Sequence, residues 1–256
     1  MPLNILCCVK RVPMTGGRIV LTADEQAIET RHLGFTISPH EECGVEEAVR
    51  LIEANGGSST VLALGPPEAE EQLRDCMALG IDRAIHLLAD DEFDGGATAQ
   101  AIVDAIAAER EAGTEYDIVF FGNESADAGN YQVGIRVAHA LGRPCVMGVK
   151  AVALEDGGLR CEQEVAGGRD VYRVPLPAVV TVKEGLNLPR YPSVPGRLRA
   201  KKKPVDARTP ERGQQGVEKV RLVVPEDEGT QTEVLGRGAE AAPAVVALFE
   251  RVGVLG

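Results

Sequence analysis

A chain of 256 residues with 44% apolar content forms one large domain, or one domain with appendages, and has ample material for a core. Its formal charge of −12 excludes general nucleic-acid binding, because the basic residues between 197 and 203 are a local cluster and not a domain-wide footprint. No run of about eighteen apolar residues occurs, so no direct membrane insertion is expected, and the start MPLNILCCVKR is too short and too early charged for a secretory signal, which predicts a cytoplasmic protein.

Leu3–Val9 is an apolar run broken only by Asn4, as in a strand covered on both faces. Gly16-Gly17 opens a predicted short hairpin through Arg18–Leu21. Ser38-Pro39-His40-Glu41 is a helix start, with a capping serine, proline in the first turn and a glutamate completing a capping box. Val45, Ala48, Val49 and Ile52 then follow helical spacing until Asn55-Gly56-Gly57. Strands are predicted at Thr60–Leu64, Ala84–Leu88, Asp117–Phe121 and Cys145–Ala153, and helices at Glu68–Leu79, Thr98–Glu109 and Tyr131–Leu141. This alternation predicts an α/β fold with a doubly wound parallel sheet. After Leu154 the pattern changes, and Leu159–Val165 and Asp170–Val174 read as antiparallel hairpins added to one edge.

Ala178–Val182 ends in an arm, Thr181–Pro204, that leaves the sheet through Gly185. Pro189, Pro192 and Pro195 each fix φ and bias the preceding residue to extended geometry, which predicts a stiff, protruding loop. It closes on five cations in the seven residues Arg197–Lys203. Beyond it, Val205–Val217 reads as an exposed linker, Val220–Val224 as one more strand, and Pro243–Val252 as a two-faced terminal helix that packs on a partner or back on its own domain. The predicted division is a nucleotide-binding unit over 1–204, including the arm 182–204, and a tail over 205–256 that packs on a partner subunit.

The loop from Gly122 to Gly134 follows a predicted parallel strand, the place where such sheets bind ligands. Gly122 and Gly129 permit close backbone approach, Ser125, Asn130 and Gln132 add side-chain donors, and the next helix offers unpaired N–H groups to a phosphate. Neither GxxxxGK[ST] nor GxGxxG occurs, and no nucleophile constellation stands out. Paired carboxylates such as Glu41-Glu42, Glu46-Glu47 and Asp90-Asp91 read as solvated charges. The six cysteines contain no CxxC pair and the four histidines are scattered, so reduced buried thiols and no metal site are expected. No catalytic residue is assigned; the chain reads as one that binds a nucleotide and a partner.

Four stretches together resemble the β subunit of electron transfer flavoprotein. They are Cys8–Pro13, Val45–Leu51, Met77–His86, and Leu186–Pro195 with Ala200–Pro204. The resemblance implies a Rossmann-like sheet of the adenine-nucleotide α-hydrolase type and a heterodimer with an α subunit. It also implies an FAD held mainly by that subunit and an AMP buried in this chain. By position the AMP site would use Cys8, the helix start Ser38, Pro39, His40 and Glu41, and Leu64 and Gly65. It would also use the loop Gly122, Asn123, Glu124, Ser125, Ala126, Asp127, Ala128, Gly129, Asn130, Tyr131, Gln132 and Val133. The arm, through Pro189, Arg190, Tyr191, Val194, Pro195, Arg197 and Leu198, would dock flavin dehydrogenases, with Val194 as the apolar anchor. The implied role is an electron carrier, not an enzyme by itself. It passes electrons from acyl-CoA or related dehydrogenases of fatty acid β-oxidation to electron transfer flavoprotein–quinone oxidoreductase. The alternative is an electron-bifurcating subunit, with a second FAD in place of AMP and NADH as donor; bulky Tyr131 favours AMP. A stress-protein-type nucleotide sensor, the third reading, leaves the proline arm unexplained.

Overall fold

The structure, a computed structural model, describes residues 2–255 except 15, 17, 18, 91, 214 and 226–232. The first apolar run forms β1 (Leu3–Val9). Its side chains divide between two cores: Ile5, Cys7 and Val9 face one, Leu6 and Cys8 the other. Each fully buried Leu or Ile contributes about 1.5–3 kcal/mol. A small ribbon comes next, β2 (Val12–Pro13) antiparallel to β3 (Phe35–Thr36). Helix α1 (Pro39–Asn55) starts on the expected capping box, with the Ser38 N–H donating to Glu41 Oε2 at 3.1 Å.

The alternation continues through β4 (Gly57–Gly65), α2 (Glu70–Leu79), β5 (Arg83–Leu88), α3 (Gly95–Glu111), β6 (Ile118–Gly122) and α4 (Val133–Leu141). Three long strands come next, β7 (Cys145–Glu155), β8 (Gly158–Val165) and β9 (Gly168–Pro175). The chain then returns through β10 (Ala178–Val182), α5 (Val194–Ala200), β11 (Val205–Arg208) and α6 (Ala242–Arg251). Among the described residues the main sheet has the order β11-β5-β4-β1-β6-β10-β7-β8-β9. It is parallel from β11 to β7 and antiparallel through β8 and β9. This is the doubly wound sheet with edge hairpins that the sequence predicts. Helices α1 and α2 contribute to one core, α3 and α4 to the other.

Several expectations need correction. Val205–Arg208 is not linker: it pairs in parallel with β5 and closes that edge of the sheet. Glu109, buried on α3, holds it there by accepting from both Arg208 and Arg83. Burial opposes ionisation of Glu109, but the two guanidinium bonds outweigh it and keep the carboxyl below its usual range. Val220–Val224 is not a strand; its backbone meets the loop near residue 25, where Leu222 N–H donates to Glu25 O at 2.8 Å. The helix expected over Glu68–Leu79 is a 3-10 turn, Pro67–Ala69, followed by α2. The helix expected from Tyr131 starts at Val133, because Tyr131 sits at φ 54°. The expected hairpin through Arg18–Leu21 falls partly outside the described residues; an isolated bridge pairs Leu21 with Ile28. Helix α6 has no buried residue.

The arm does not stand free. Asn187 Nδ2 donates to Cys43 O and Glu47 Oε2, and Arg190 forks onto Glu46 at 2.9 and 3.1 Å and onto Glu53 at 2.7 and 2.9 Å. Glu46 and Glu47 are therefore buried joints and not solvated charges. Burial disfavours the Glu46 anion, yet bonds from Arg190 and Arg50 outweigh it and lower its pKa; at Glu47 burial prevails and raises it. Further on, Ser193 caps α5, and Lys203 Nζ reaches Met77 O and Ile81 O at 3.1 and 2.6 Å. The arm is a strap across α1 and α2, with Leu188, Tyr191, Val194 and Leu198 on its outer side.

Asp94 joins the segment beyond β11 to the start of α3. Its carboxylate caps α3 through Ala97 N–H at 2.7 Å and also accepts from Gly216 and Val217 N–H at 2.6 and 3.1 Å. Asp94→Ala removes the cap and the latch together. The expected loss is about 1 kcal/mol, a fall of roughly 2–4 °C in thermal midpoint by calorimetry, with faster proteolytic cleavage between residues 209 and 225.

Candidate functional site

From β1 the chain builds outward in one direction through β4 and β5, then crosses back to place β6 on the other side of β1. The carboxyl ends of β1 and β6 diverge at this reversal and leave a crevice. A cavity of about 320 Å³ occupies it, near the lower end of the range of about 300–1,000 Å³ for small-molecule sites. Its apolar lining comes from Cys8, Leu62, Leu64, Phe93, Ile102 and Phe121. Its polar lining includes Glu41, Asn123, Ser125, Asn130 and Gln132.

Helices α3 and α4 both start at this cavity. Helix α3 is capped by Asp94, whereas Gln132, at the N-cap of α4, makes no side-chain cap; its Oε1 accepts from Arg136 Nε at 2.8 Å. The first N–H groups of α4 therefore lack a side-chain partner among the described residues, and with the helix dipole they favour an anion. Gly134 lies in that first turn, and a Cβ there would meet Thr181 Cγ2 at 2.8 Å, so only glycine lets α4 approach β10 this closely. Thr181 donates to Asn123 Oδ1 at 3.0 Å and accepts from Gly148 N–H at 3.0 Å, which fixes the Asn123 amide at the end of β6. The loop bends back at Gly129, whose φ is 56°.

Of the residues expected at the site, the structure brings Cys8, Glu41, Leu64, Gly65, Gly122, Asn123, Glu124, Ser125, Ala128, Asn130, Tyr131, Gln132 and Val133 to the cavity wall. Ser38, Pro39, His40, Ala126, Asp127 and Gly129 lie behind or beside it. Ser38 Oγ donates to Glu124 O at 3.4 Å, and His40 Nε2 lies 3.4 Å from Glu124 Oε1, so both support the loop from outside. Asp127 pairs with Lys10 at 2.6 Å; burial works against its ionisation, but Lys10 and hydrogen bonds keep its pKa low. The wall also includes Lys10, Arg11, Asp90, Phe93, Gly95, Thr98 and Thr181, which sequence reasoning missed. The rule that ligands sit beyond strand carboxyl ends would have reached those after β1 and β5.

Glu41 is the buried acid of the wall, at 6% exposure. It accepts from Lys10 N–H and Ser38 N–H, both at 3.1 Å, and so ties β1 to α1. Burial drives its pKa up to about 8 against those hydrogen bonds. Burial likewise pushes the Cys8 thiol up, with neighbouring Glu41 adding to it, so Cys8 is an apolar wall group and not a nucleophile. Among the described residues no cluster of His, Cys, Asp and Glu is arranged to hold a metal ion, and no helix is long and apolar enough to cross a membrane.

Residues 27–212 match the family model of the electron transfer flavoprotein domain. Curated relatives named electron transfer flavoprotein subunit beta include that of Syntrophomonas wolfei, 37% identical over 206 residues, 80% of this chain and 79% of the relative. The Bacillus subtilis protein of that name is 32% identical over 204 residues, 80% of this chain and 78% of the relative. The caffeyl-CoA reductase-Etf complex subunit CarD of Acetobacterium woodii is 32% identical over 204 residues, 79% of this chain and 77% of the relative.

Native Glu41 keeps its proton to about pH 8, whereas the unfolded carboxyl releases it near 4.5. The unfolded state then binds fewer protons over that window, so this group's contribution to stability falls as pH rises through it, by up to roughly 1.4 kcal/mol per pH unit. Urea unfolding across the window should show a shallower decline for Glu41→Gln than for the wild type.

Proposed function

The chain belongs to the electron transfer flavoprotein family, and from that premise we propose that it is the nucleotide-holding subunit of a soluble electron carrier. It pairs with an α subunit that holds FAD and itself buries an AMP. The observation that carries this reading is the cavity at the sheet reversal, of mononucleotide size, apolar on its floor and bounded by the uncapped start of α4. The base lies against the apolar wall, and the phosphate meets backbone N–H groups. No side chain of this chain breaks a bond. When bound, the flavin supplies the redox chemistry, and this chain fixes the assembly that positions it.

The strap is the docking element. Val194 is 74% exposed and Tyr191 96% exposed, on a backbone clamped through Arg190 and α5. An apolar anchor presented on a rigid mount beside Arg197 and Arg199 suits a brief encounter with a flavin dehydrogenase. The charges steer association and the anchor fixes register. A quinone oxidoreductase receives the electrons in this scheme.

A second reading is a bifurcating subunit with FAD in place of AMP and NADH as donor; one relative is named as a subunit of a caffeyl-CoA reductase-Etf complex, an assembly with a reductase. The small cavity, with Tyr131 on its wall, favours AMP.

Denaturing extraction of the purified heterodimer should release one FAD and one AMP; two FAD and no AMP would establish the second reading. Val194→Glu should slow reduction by the partner dehydrogenase at least about tenfold, the effect of losing one apolar hot spot. Stopped-flow kinetics measures it, and an unchanged rate removes Val194 from the anchor role.

A further inference from the structure

Arg11 lines the nucleotide cavity and has no partner for its charge among the described residues. Its Nε is buried without a hydrogen bond, and its guanidinium forms no ion pair with any of them. The neighbouring charges are engaged elsewhere. Lys10 is taken by Asp127 and Glu92 by Lys219, and Glu124 Oε1 lies 3.4 Å from His40 Nε2. Glu41 accepts from the backbone of Lys10 and Ser38. None of these carboxylates, nor Asp90, pairs with Arg11.

What holds Arg11 is stacking. Its guanidinium carbon lies 3.3 Å from the centroid of the Phe35 ring. Phe35 belongs to β3, and Arg11 directly precedes β2, so the antiparallel ribbon fixes both. The bond from Met14 N–H to Gly34 O at 2.9 Å extends that ribbon by one more link. A guanidinium kept partly desolvated and unpaired is costly, and the cost is offset when an anion enters with good geometry. Its flat fork matches phosphate oxygens in two parallel bonds.

We propose that Arg11 is the phosphate anchor of the cavity and makes it selective for a phosphorylated nucleoside over the bare nucleoside. The inference rests on the mononucleotide reading and adds to it the side chain that reads the ligand's charge. Phe35 preorganises that side chain, and the start of α4 supplies backbone donors to the same class of group.

The test uses the heterodimer after nucleotide removal, titrated calorimetrically with AMP and with adenosine. Arg11→Met keeps an apolar stem against Phe35 and removes the charge. It should weaken AMP binding roughly tenfold to a hundredfold, the usual span for hydrogen bonds to a charged group. Adenosine affinity should stay within about twofold, as no charged contact is lost with it. Arg11→Lys should recover part of the AMP affinity, since it restores the charge without the fork. FAD content reports assembly of each variant, and Arg11→Gln replaces Arg11→Met if the latter does not assemble. Unchanged AMP affinity in the variant overturns the proposal and leaves the phosphate on α4 alone. Equal losses for AMP and adenosine also overturn it, by making Arg11 a packing group. A wild-type complex that binds neither ligand removes the mononucleotide reading itself, an outcome visible before any variant is made.

Discussion

The reversal of strand order at β1 is the constraint on which the molecule depends. With β4 on one side and β6 on the other, β1 is buried on both faces, and its end opens into the crevice between two sets of loops. Burial on both faces accounts for the apolar residues of Leu3–Val9, all but Asn4, and the pair directly after them, Lys10 and Arg11, lines the crevice. The switch from apolar to cationic within two residues is the transition from sheet interior to cavity wall. Everything else at the cavity, from the Glu41 bonds to the start of α4, is arranged about that strand end.

Buried acids act as the joints between separately folded pieces. Glu41 connects β1 to α1, Glu46 connects α1 to the strap through Arg190, and Glu109 connects α3 to β5 and β11. Each accepts more than one hydrogen bond, which compensates for leaving water. They differ in how burial is answered. Glu46 and Glu109 face guanidinium groups and stay ionised, while at Glu41 burial outweighs its hydrogen bonds with Ser38 and Lys10 and the carboxyl holds its proton.

The sheet was legible because burial on both faces leaves continuous apolar runs, and α1 because Ser38, Pro39 and Glu41 carry the physics of a helix start locally. Strand β11 was not, since Val205–Arg208 is only four residues, two of them charged, at an edge, and its partner Glu109 lies far away in sequence. The valines of 220–224 imitate a strand, but β11 already occupies the sheet edge beside β5. Glu46 and Glu47 look solvated in a helical pattern because their partners, Arg190 and Asn187, lie 144 and 140 residues further on. The loop after β6 was legible from its glycines. Arg11 was not, because a stacked cation has no spacing rule to reveal it.

The strap 183–204 leaves β10 and returns at β11, and between those two strands lie β5, β4, β1 and β6. It is thus strung like a bowstring over the face of the sheet, knotted to α1 at Arg190 and to α2 through α5. Force applied at Tyr191 or Val194 is shared between two distant anchorages instead of bending one loop. The outer side of the strap and the cavity wall then move as one lever, because the same helix α1 carries Glu41 to the cavity and Glu46 to the strap.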